Sequence, residues 1–212
     1  MINEQTMNKF KLSSTKDVIE LYDSSILNKY ASDDMLISKN NYEHKCYLFC
    51  YGSNSLQQIK KRVNNNKLIS QKAYLPNYSL IFAGKSNKWN GGVASIIKIG
   101  TNDMVKGSIV YLTESEFVKL DKFEGSTKNK NPFSKMDNLY RRQYIIVKDK
   151  DNNDIQSIAY IKNNQKWMEY PSNEYLEAIK SNLIQHWDEY NISSMSNKIT
   201  IIDSEMEIKG IY

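Results

Sequence analysis

One glutamate stands where helices usually avoid a carboxylate. In the segment LDKFEG, residues 120–125, Glu124 falls at the end of a predicted helix, directly before Gly125. The negative end of the helix macrodipole favours cations there, so it raises the proton affinity of a carboxylate, and partial burial raises it further. A glutamate tuned in this way can serve as a general base near neutral pH. The alternative is an exposed glutamate that tolerates the helix end at a cost of up to about 1 kcal/mol.

A second candidate for chemistry is the turn in the stretch FCYGSN, residues 49–54, where an apolar run stops at small polar residues. Gly52 permits a backbone turn that other residues resist. Ser53 or Asn54 can cap a helix that begins near Ser55. The free N–H groups at such a helix start, together with its dipole, can hold an anion such as a carboxylate. A capped strand-to-helix turn without any ligand is the alternative.

Several other chemistries lack support. A G-x-S-x-G elbow needs a glycine where Ser55 stands, so Ser53 is not expected to be a nucleophile, and neither glycine-rich phosphate motif occurs. The two histidines and two cysteines do not have zinc-finger spacing, so no metal site is predicted. On an extended strand Cys46 and Cys50 would lie about 13 Å apart on one face, too far for a disulfide.

The composition bounds the class of protein. The 212 residues include 29 Lys and Arg against 24 Asp and Glu, a net charge of +5 that is scattered along the chain. A solvated surface accounts for this excess, whereas a nucleic-acid face needs a denser basic stripe. No run of about 18 apolar residues and no secretory signal occur, so we expect no membrane association and a cytoplasmic location.

The hydrophobic pattern predicts an α+β domain. β-Branched and aromatic residues bounded by Asn, Gly or Asp predict six strands, at 46–51, 78–83, 92–97, 106–112, 143–148 and 156–161. Helices are predicted after Asn54, over 113–125 and over 171–187. The second has a capping box of Thr113 and Glu116, and the third has Ser172 as its cap and Tyr175, Ile179 and Leu183 as its apolar stripe. A small barrel with outer helices is one arrangement that suits this order.

Three segments organise the chain. Residues 1–44 are predicted to be an N-terminal extension with one amphipathic helix, residues 45–190 the main domain, and residues 191–212 a C-terminal tail beside it. Within the domain, the polar and basic stretch 126–138 is predicted to be an exposed loop. Because it follows Glu124, it is placed to reshape or cover a pocket there.

Seven segments together resemble the γ-glutamylcyclotransferase family, and they occur in the family's order between about residues 46 and 187. The Tyr-Gly-Ser-Asn turn is moderately specific by itself, and it becomes strong when joined to the Leu-Asp-x-x-Glu-Gly helix end. The segments are FCYGSN (49–54), WNGGVASI (89–96), MVKGSIVYL (104–112), LDKFEG (120–125), LYRRQYIIV (139–147), SIAYI (157–161) and YPSNEYLEAI (170–179).

The resemblance implies a small mixed β-barrel of about six strands with flanking helices. It also implies that a γ-glutamyl amino acid is cyclised to 5-oxoproline with release of the free amino acid, an intramolecular reaction of lyase or acyltransferase type that needs no cofactor. Glu124 matches the family's catalytic glutamate. The residues expected to contact the γ-glutamyl substrate are Tyr51, Gly52, Ser53, Asn54, Tyr140, Tyr160 and Tyr175. Family members often pair, so a homodimer is an expectation for this chain.

Alternatives to this function remain open. The Pro-Ser-x-x-Tyr element favours the branch that acts on γ-glutamyl amino acids over the glutathione-specific and γ-glutamylamine branches. A function from a different class is that of a noncatalytic domain that binds a small acid in the same pocket. An intact Glu124 argues against that alternative, because a pure binder has no need of a base there.

Overall fold

A computed structural model describes residues 45–98, 103–128, 130–163, 165 and 169–187. These residues belong to one compact unit that spans Glu43–Asp203. The described part contains seven strands and three helices. The strands are β1 (Lys45–Cys50), β2 (Ser70–Pro76), β3 (Ser79–Ser86), β4 (Gly91–Ile97), β5 (Met104–Thr113), β6 (Tyr140–Asp149) and β7 (Asp154–Lys162), and the helices are α1 (Leu56–Val63), α2 (Glu114–Glu124) and α3 (Asn173–Leu183).

Five strands close into a barrel in the order β1-β5-β2-β6-β7. Four of its five contacts are antiparallel, and the parallel pairing of β1 with β7 closes it, with Tyr47 opposite Ser157. The barrel is therefore mixed, and together with the helices it confirms the predicted fold class. The strands β3 and β4 form a separate two-stranded sheet beside the barrel.

Alternate side chains along β1 and the residue after it pack into two different apolar clusters. Leu48 and Cys50 pack into a cluster with Ile59 of α1 and Leu120 of α2, whereas Phe49 and Tyr51 pack into another that includes side chains of α3. This division follows from the two-residue period of a strand. Both faces of the second half of β1 are thus buried, which explains why its sequence is apolar from Cys46 onward rather than alternating.

The helix signals of the sequence are largely confirmed. The capping box at the start of α2 is present, and Gly125 ends this helix in the left-handed conformation, with φ 65°. Ser172 caps α3 by accepting a hydrogen bond from the Tyr175 backbone, and the predicted apolar stripe of α3 is buried. The cap of α1 was predicted wrongly, because Ser55, not Ser53 or Asn54, accepts from the helix, through the Gln58 N–H.

The strand count differs from the prediction of six. The sequence did not predict β2 because its apolar pattern is weak. Only Ala73 and Leu75 are fully buried, and the rest of the strand contains polar residues and a terminal proline. Pairing with β5 and β6, rather than local preference, makes this segment a strand. The Asp-Asn-Asn-Asp run at 151–154 is a hairpin signal in the sequence, and the chain does turn there between β6 and β7, with Asn152 in the left-handed region.

The predicted amphipathic helix of residues 1–44 and the predicted tail 191–212 lie outside the described residues. Of the helices that the structure does describe, none combines the length and apolar character that crossing a membrane requires. The cysteine thiols at 46 and 50 are both free, in agreement with their spacing on β1.

A glycine on β5 tests the barrel packing. A methyl group at Gly107 would lie 2.5 Å from Phe49 Cε2 and 2.7 Å from the Cys50 carbonyl oxygen, so the strands would have to move apart. We expect Gly107→Ala to lower the free energy of unfolding in urea by about 1–3 kcal/mol, the usual cost of overpacking. The control is Met104→Ala on the same strand, which is half exposed and should change stability by less than about 0.5 kcal/mol. Equal stability of the two variants would contradict this packing.

Candidate active site

A cavity of about 400 Å³ opens between the end of β1, the β3–β4 sheet and the C-terminal end of α2. Its size suits a small molecule. All eight predicted site residues line it: Tyr51, Gly52, Ser53, Asn54, Glu124, Tyr140, Tyr160 and Tyr175. The tertiary fold therefore brings together residues that are spread over more than 120 positions of the sequence.

The Glu124 carboxylate is held by two donors in the cavity wall. Its Oε1 accepts hydrogen bonds from the Asn54 side-chain amide at 3.0 Å and from Arg62 Nη1 at 3.0 Å. Arg62 Nη1 also donates to Asn54 Oδ1 at 2.9 Å, so the three side chains form a closed triangle. Among the described residues no donor reaches Oε2. This oxygen keeps exposed surface where Glu124 lines the cavity. One carboxylate oxygen is fixed and the other is left for a ligand.

Opposing effects act on the pKa of Glu124. Its side chain is only 12 % exposed, and loss of water raises the pKa because the charged form is the one that needs solvation. The Arg62 charge and the hydrogen bonds from Asn54 and Arg62 lower it in part, and the net direction is upward. A carboxylate with a raised pKa is suited to accept a proton and later return it.

The packing of α1 against α2 places Arg62 beside Glu124. Lys119 of α2 donates to the carbonyl oxygen of Val63 at the end of α1, at 2.9 Å, and the Asn65 side chain donates to Glu116 at 2.7 Å. The guanidinium of Arg62 also lies 5.0 Å from the centre of the Phe123 ring. Sequence reasoning missed Arg62, since it follows Lys60 and Lys61 and resembles one of three cations suited to a helix end.

The turn 51–54 presents backbone donors to the cavity. Within the described residues, no protein acceptor takes a hydrogen bond from the N–H groups of Gly52, Ser53 or Asn54. Gly52 does not have a positive φ, so the prediction that it permits a turn that other residues resist is wrong. A side chain there would instead meet Ala94 Cβ at 3.4 Å and the Tyr175 hydroxyl at 3.7 Å, inside the cavity.

Two tyrosines hold the peptide of Ala94 at the cavity wall. Tyr140 donates its hydroxyl proton to the Ala94 carbonyl oxygen at 3.0 Å, which leaves its oxygen as an acceptor. Tyr175 accepts from the Ala94 N–H at 3.0 Å and also has the Ser53 side chain as a hydrogen-bonding neighbour, and its own proton can still be donated to a ligand. Burial raises the pKa of Tyr175 to about 12 and that of Tyr140 well above its usual range, so both phenols stay neutral.

The other two tyrosines use their hydroxyls within the protein. Tyr51 donates to the backbone carbonyl of Tyr160, and Tyr160 donates to Asp121 Oδ1 at 2.8 Å. Arg142 binds both oxygens of Asp121, at 2.9 and 2.7 Å. These two tyrosines therefore line the cavity with their rings, whereas the other pair keeps hydroxyl groups available to a ligand.

The basic loop 126–138 does not cover the cavity. None of its described residues, 126–128 and 130–138, lines the cavity wall. Phe133 stacks on Tyr144 of the barrel with ring centres 5.3 Å apart, and the Arg142 N–H donates to the Pro132 carbonyl at 2.9 Å. These contacts fix the loop to the barrel surface.

The described residues contain no group of three or more His, Cys, Asp or Glu side chains arranged to hold a metal ion. What the cavity offers instead is one accessible carboxylate oxygen, three backbone donors, a phenolic donor and a phenolic acceptor. This set can move a proton and stabilise a small negative charge.

Removal of Arg62 tests the origin of the Glu124 pKa. We expect Arg62→Met to raise the pKa of Glu124, because the variant keeps the burial and loses the opposing cation. The pKa can be followed by the carboxyl carbon shift in isotope-labelled protein. The control is Lys61→Met, whose exposed side chain is on the same helix. An unchanged or lower pKa in the Arg62 variant would show that the ion pair does not control the carboxylate.

Comparisons with known proteins identify the family of the chain. A family model described as "Gamma-glutamyl cyclotransferase, AIG2-like" matches residues 48–182. A search of curated proteins found no match.

Solved structures share the fold. A structure titled "Gamma-glutamyl cyclotransferase" has 24 % identity and a TM-score of 0.54, covering 66 % of this chain and 80 % of its own. An uncharacterized protein from Homo sapiens has 25 % identity and a TM-score of 0.54, covering 66 % and 81 %. YkqA from Bacillus subtilis has 16 % identity and a TM-score of 0.57, covering 80 % of this chain and 58 % of its own. With a family model that spans well over half of its residues, the chain belongs to the AIG2-like γ-glutamyl cyclotransferase family.

Proposed function

We propose that this protein converts a γ-glutamyl amino acid to 5-oxoproline and the free amino acid, with Glu124 as the general acid and base. The observation that carries the proposal is the position of Glu124, with Oε1 held by Asn54 and Arg62 and Oε2 open to the cavity. The backbone donors of the turn 51–54 lie in the wall of the same cavity. Family membership supports the general reaction, and the geometry supports these roles.

The reaction begins with removal of a proton. The substrate's α-ammonium group, whose pKa in water is about 7.7–8.0, cannot attack until it is deprotonated. Glu124 Oε2 takes the proton, and its raised pKa brings the two groups closer in proton affinity. The Tyr140 oxygen, which retains acceptor capacity, helps to hold the ammonium group in place.

The free amine then attacks the γ-carbonyl carbon within the same molecule. A C–N bond forms to close the five-membered ring, and the carbonyl oxygen becomes an oxyanion. The N–H groups of the turn 51–54 and the hydroxyl proton of Tyr175 are the donors suited to that charge. Because they are fixed before the reaction, little reorganisation is needed as the charge develops.

Collapse of the oxyanion breaks the original amide bond. Glu124 donates its proton to the departing nitrogen, so that the amino acid leaves as a neutral amine rather than as an anion. The carboxylate then takes the surplus proton of the ring nitrogen, which gives the neutral amide N–H of 5-oxoproline, and passes it to the released amine, which ends as an ammonium group. One carboxylate therefore serves both steps, and no covalent intermediate with the protein is required. The triangle with Asn54 and Arg62 keeps the carboxylate in place throughout.

The glutathione-specific and γ-glutamylamine reactions are the alternatives within the same chemistry. The Tyr175 hydroxyl, which belongs to the Pro-Ser-x-x-Tyr element, lies in the cavity and contacts the Ala94 backbone. The preference for γ-glutamyl amino acids rests on this sequence element and is part of the proposal.

Replacement of the base is the direct test of mechanism. We expect Glu124→Gln to lower release of 5-oxoproline by several orders of magnitude, because the amide cannot accept the ammonium proton. Folding raises the pKa of Glu124, so ionisation of this group opposes folding above its unfolded pKa of about 4.3. The variant lacks that penalty at neutral pH, and we expect it to unfold at the same temperature as the wild type or at a higher one.

The matched control is Glu177→Gln, an exposed carboxylate on α3 outside the cavity, which should retain full activity. A wild-type rate in the Glu124 variant would remove this residue as the base. Wild-type protein that binds 5-oxoproline saturably but turns over no γ-glutamyl compound would instead support a noncatalytic small-acid-binding domain.

A comparison of three substrates tests the proposed preference for γ-glutamyl amino acids. We expect 5-oxoproline to form faster from γ-glutamyl-alanine than from glutathione or γ-glutamyl-lysine joined through its side-chain amine, at equal concentrations. The measurement is 5-oxoproline by chromatography, and kcat/KM ranks the three substrates. A higher kcat/KM for glutathione or for the γ-glutamylamine would assign the protein to the corresponding sister activity.

A further inference from the structure

A buried lysine in the cavity has no role in the proposed mechanism. Lys162 is the last residue of β7 and lines the cavity, and its exposed fraction is 6 %. Among the residues that the structure describes, its ammonium group makes no ion pair and no hydrogen bond to a protein acceptor. It lies instead against the ring of Tyr140, whose centre is 5.3 Å from Nζ.

The position of this ammonium group is costly without a counterion. Burial lowers the pKa of Lys162, and no neighbouring carboxylate opposes that effect. An aromatic face recovers only part of the lost hydration of a cation. Buried charges in proteins are usually paired. An unpaired ammonium group in the wall of a ligand cavity therefore indicates that the ligand supplies the counterion.

The β3–β4 sheet makes room for the lysine side chain. The pairing of β3 with β4 shifts register between Ala83 and Lys85, and Gly84 at the shift has φ +62°. A methyl group on Gly84 would lie 2.8 Å from Lys162 Cε and 3.4 Å from its Nζ. The missing side chain therefore lets the lysine lie directly against the strand and remain in the cavity.

The cavity as a whole is cationic. Its charged lining residues are Arg62, Lys85, Lys88 and Lys162 against Glu124, four cations and one carboxylate. Arg62 pairs with Glu124, and the lysines at 85 and 88 are exposed at the mouth. Lys162 is thus a buried cation of the cavity that no described carboxylate neutralises. A γ-glutamyl amino acid carries two carboxylates and one ammonium group, which suits this balance of charge.

We propose that Lys162 pairs with a carboxylate of the substrate and thereby selects γ-glutamyl compounds by that charge. The carboxylate comes either from the γ-glutamyl unit or from the leaving amino acid. This inference rests on the proposed function for the identity of the substrate, whereas the charge pairing itself is a property of the cavity. Lys162 acts in binding, and Glu124 remains the proton carrier.

The test is Lys162→Met, which keeps an unbranched side chain of similar length and removes the charge. We expect the KM for γ-glutamyl-alanine to rise about tenfold to a hundredfold, the value of a hydrogen bond between charged groups, with a smaller change in kcat. The control is Lys150→Met, which removes an exposed cation at the β6–β7 turn. A rise in KM no larger than that of the control overturns the inference.

A second substrate identifies which carboxylate is bound. γ-Glutamyl-ethylamine has a leaving group of similar size to alanine but without its carboxylate. A loss confined to γ-glutamyl-alanine assigns Lys162 to the leaving amino acid, and an equal loss with both substrates assigns it to the γ-glutamyl unit. Either pattern supports the pairing.

Binding measurements separate this inference from the proposed function. Calorimetry with γ-glutamyl-alanine compares Glu124→Gln with the double variant Glu124→Gln/Lys162→Met, so that no turnover interferes, and a thermal scan establishes that both are folded. If the wild type releases no 5-oxoproline but binding weakens on loss of Lys162, the proposed function fails and the charge pairing stands. If turnover occurs and binding is the same in both variants, the pairing fails and the proposed function stands.

Discussion

The hydrogen-bonded triangle of Glu124, Arg62 and Asn54 is the interaction on which the site depends. A carboxylate that is removed from water must be compensated, yet full compensation would leave it unable to accept a proton. The structure meets both conditions by directing its donors to one oxygen, Oε1, and leaving the other to the cavity. The pKa of Glu124 is raised on balance, although a cation lies at 3.0 Å.

A second carboxylate on the same helix shows what complete compensation looks like. Asp121, one turn before Glu124, has both oxygens bound by Arg142 and accepts a further hydrogen bond from Tyr160. No oxygen of Asp121 is left for a ligand, so this residue acts as an anchor that ties α2 to β6 and β7. The two acids are three residues apart, and their different roles follow from the number of donors that the surrounding strands and helices supply. Two tyrosines of the cavity wall differ in a similar way. The Tyr160 hydroxyl donates to Asp121, whereas the Tyr140 hydroxyl donates to a backbone carbonyl and its oxygen can still accept a hydrogen bond from a ligand.

The cavity wall carries more cations than carboxylates, a balance that favours ligands of net negative charge. A neutral pocket lined by tyrosines would accept many small molecules, whereas a buried ammonium group rejects ligands that bring no carboxylate to it. The glycine at the register shift of β3 leaves space for the end of the Lys162 side chain, so a local irregularity of the two-stranded sheet helps to position this charge in the cavity. The phenols, which stay neutral, add direction without adding charge.

The sequence by itself determined the elements whose signals are local. The caps of α2 and α3, the β6–β7 hairpin and the turn at 51–54 depend on neighbours a few residues away, and the order of the motifs was enough to indicate the family and Glu124. The strand β2 was decided only by its partners in the barrel, and Ser55 rather than Asn54 caps α1, because the Asn54 side chain is engaged by Arg62 and Glu124. Arg62 and Lys162 could not be chosen from the sequence among 29 Lys and Arg residues. What distinguishes them is burial beside one cavity, and burial depends on contacts between segments that are distant in the chain.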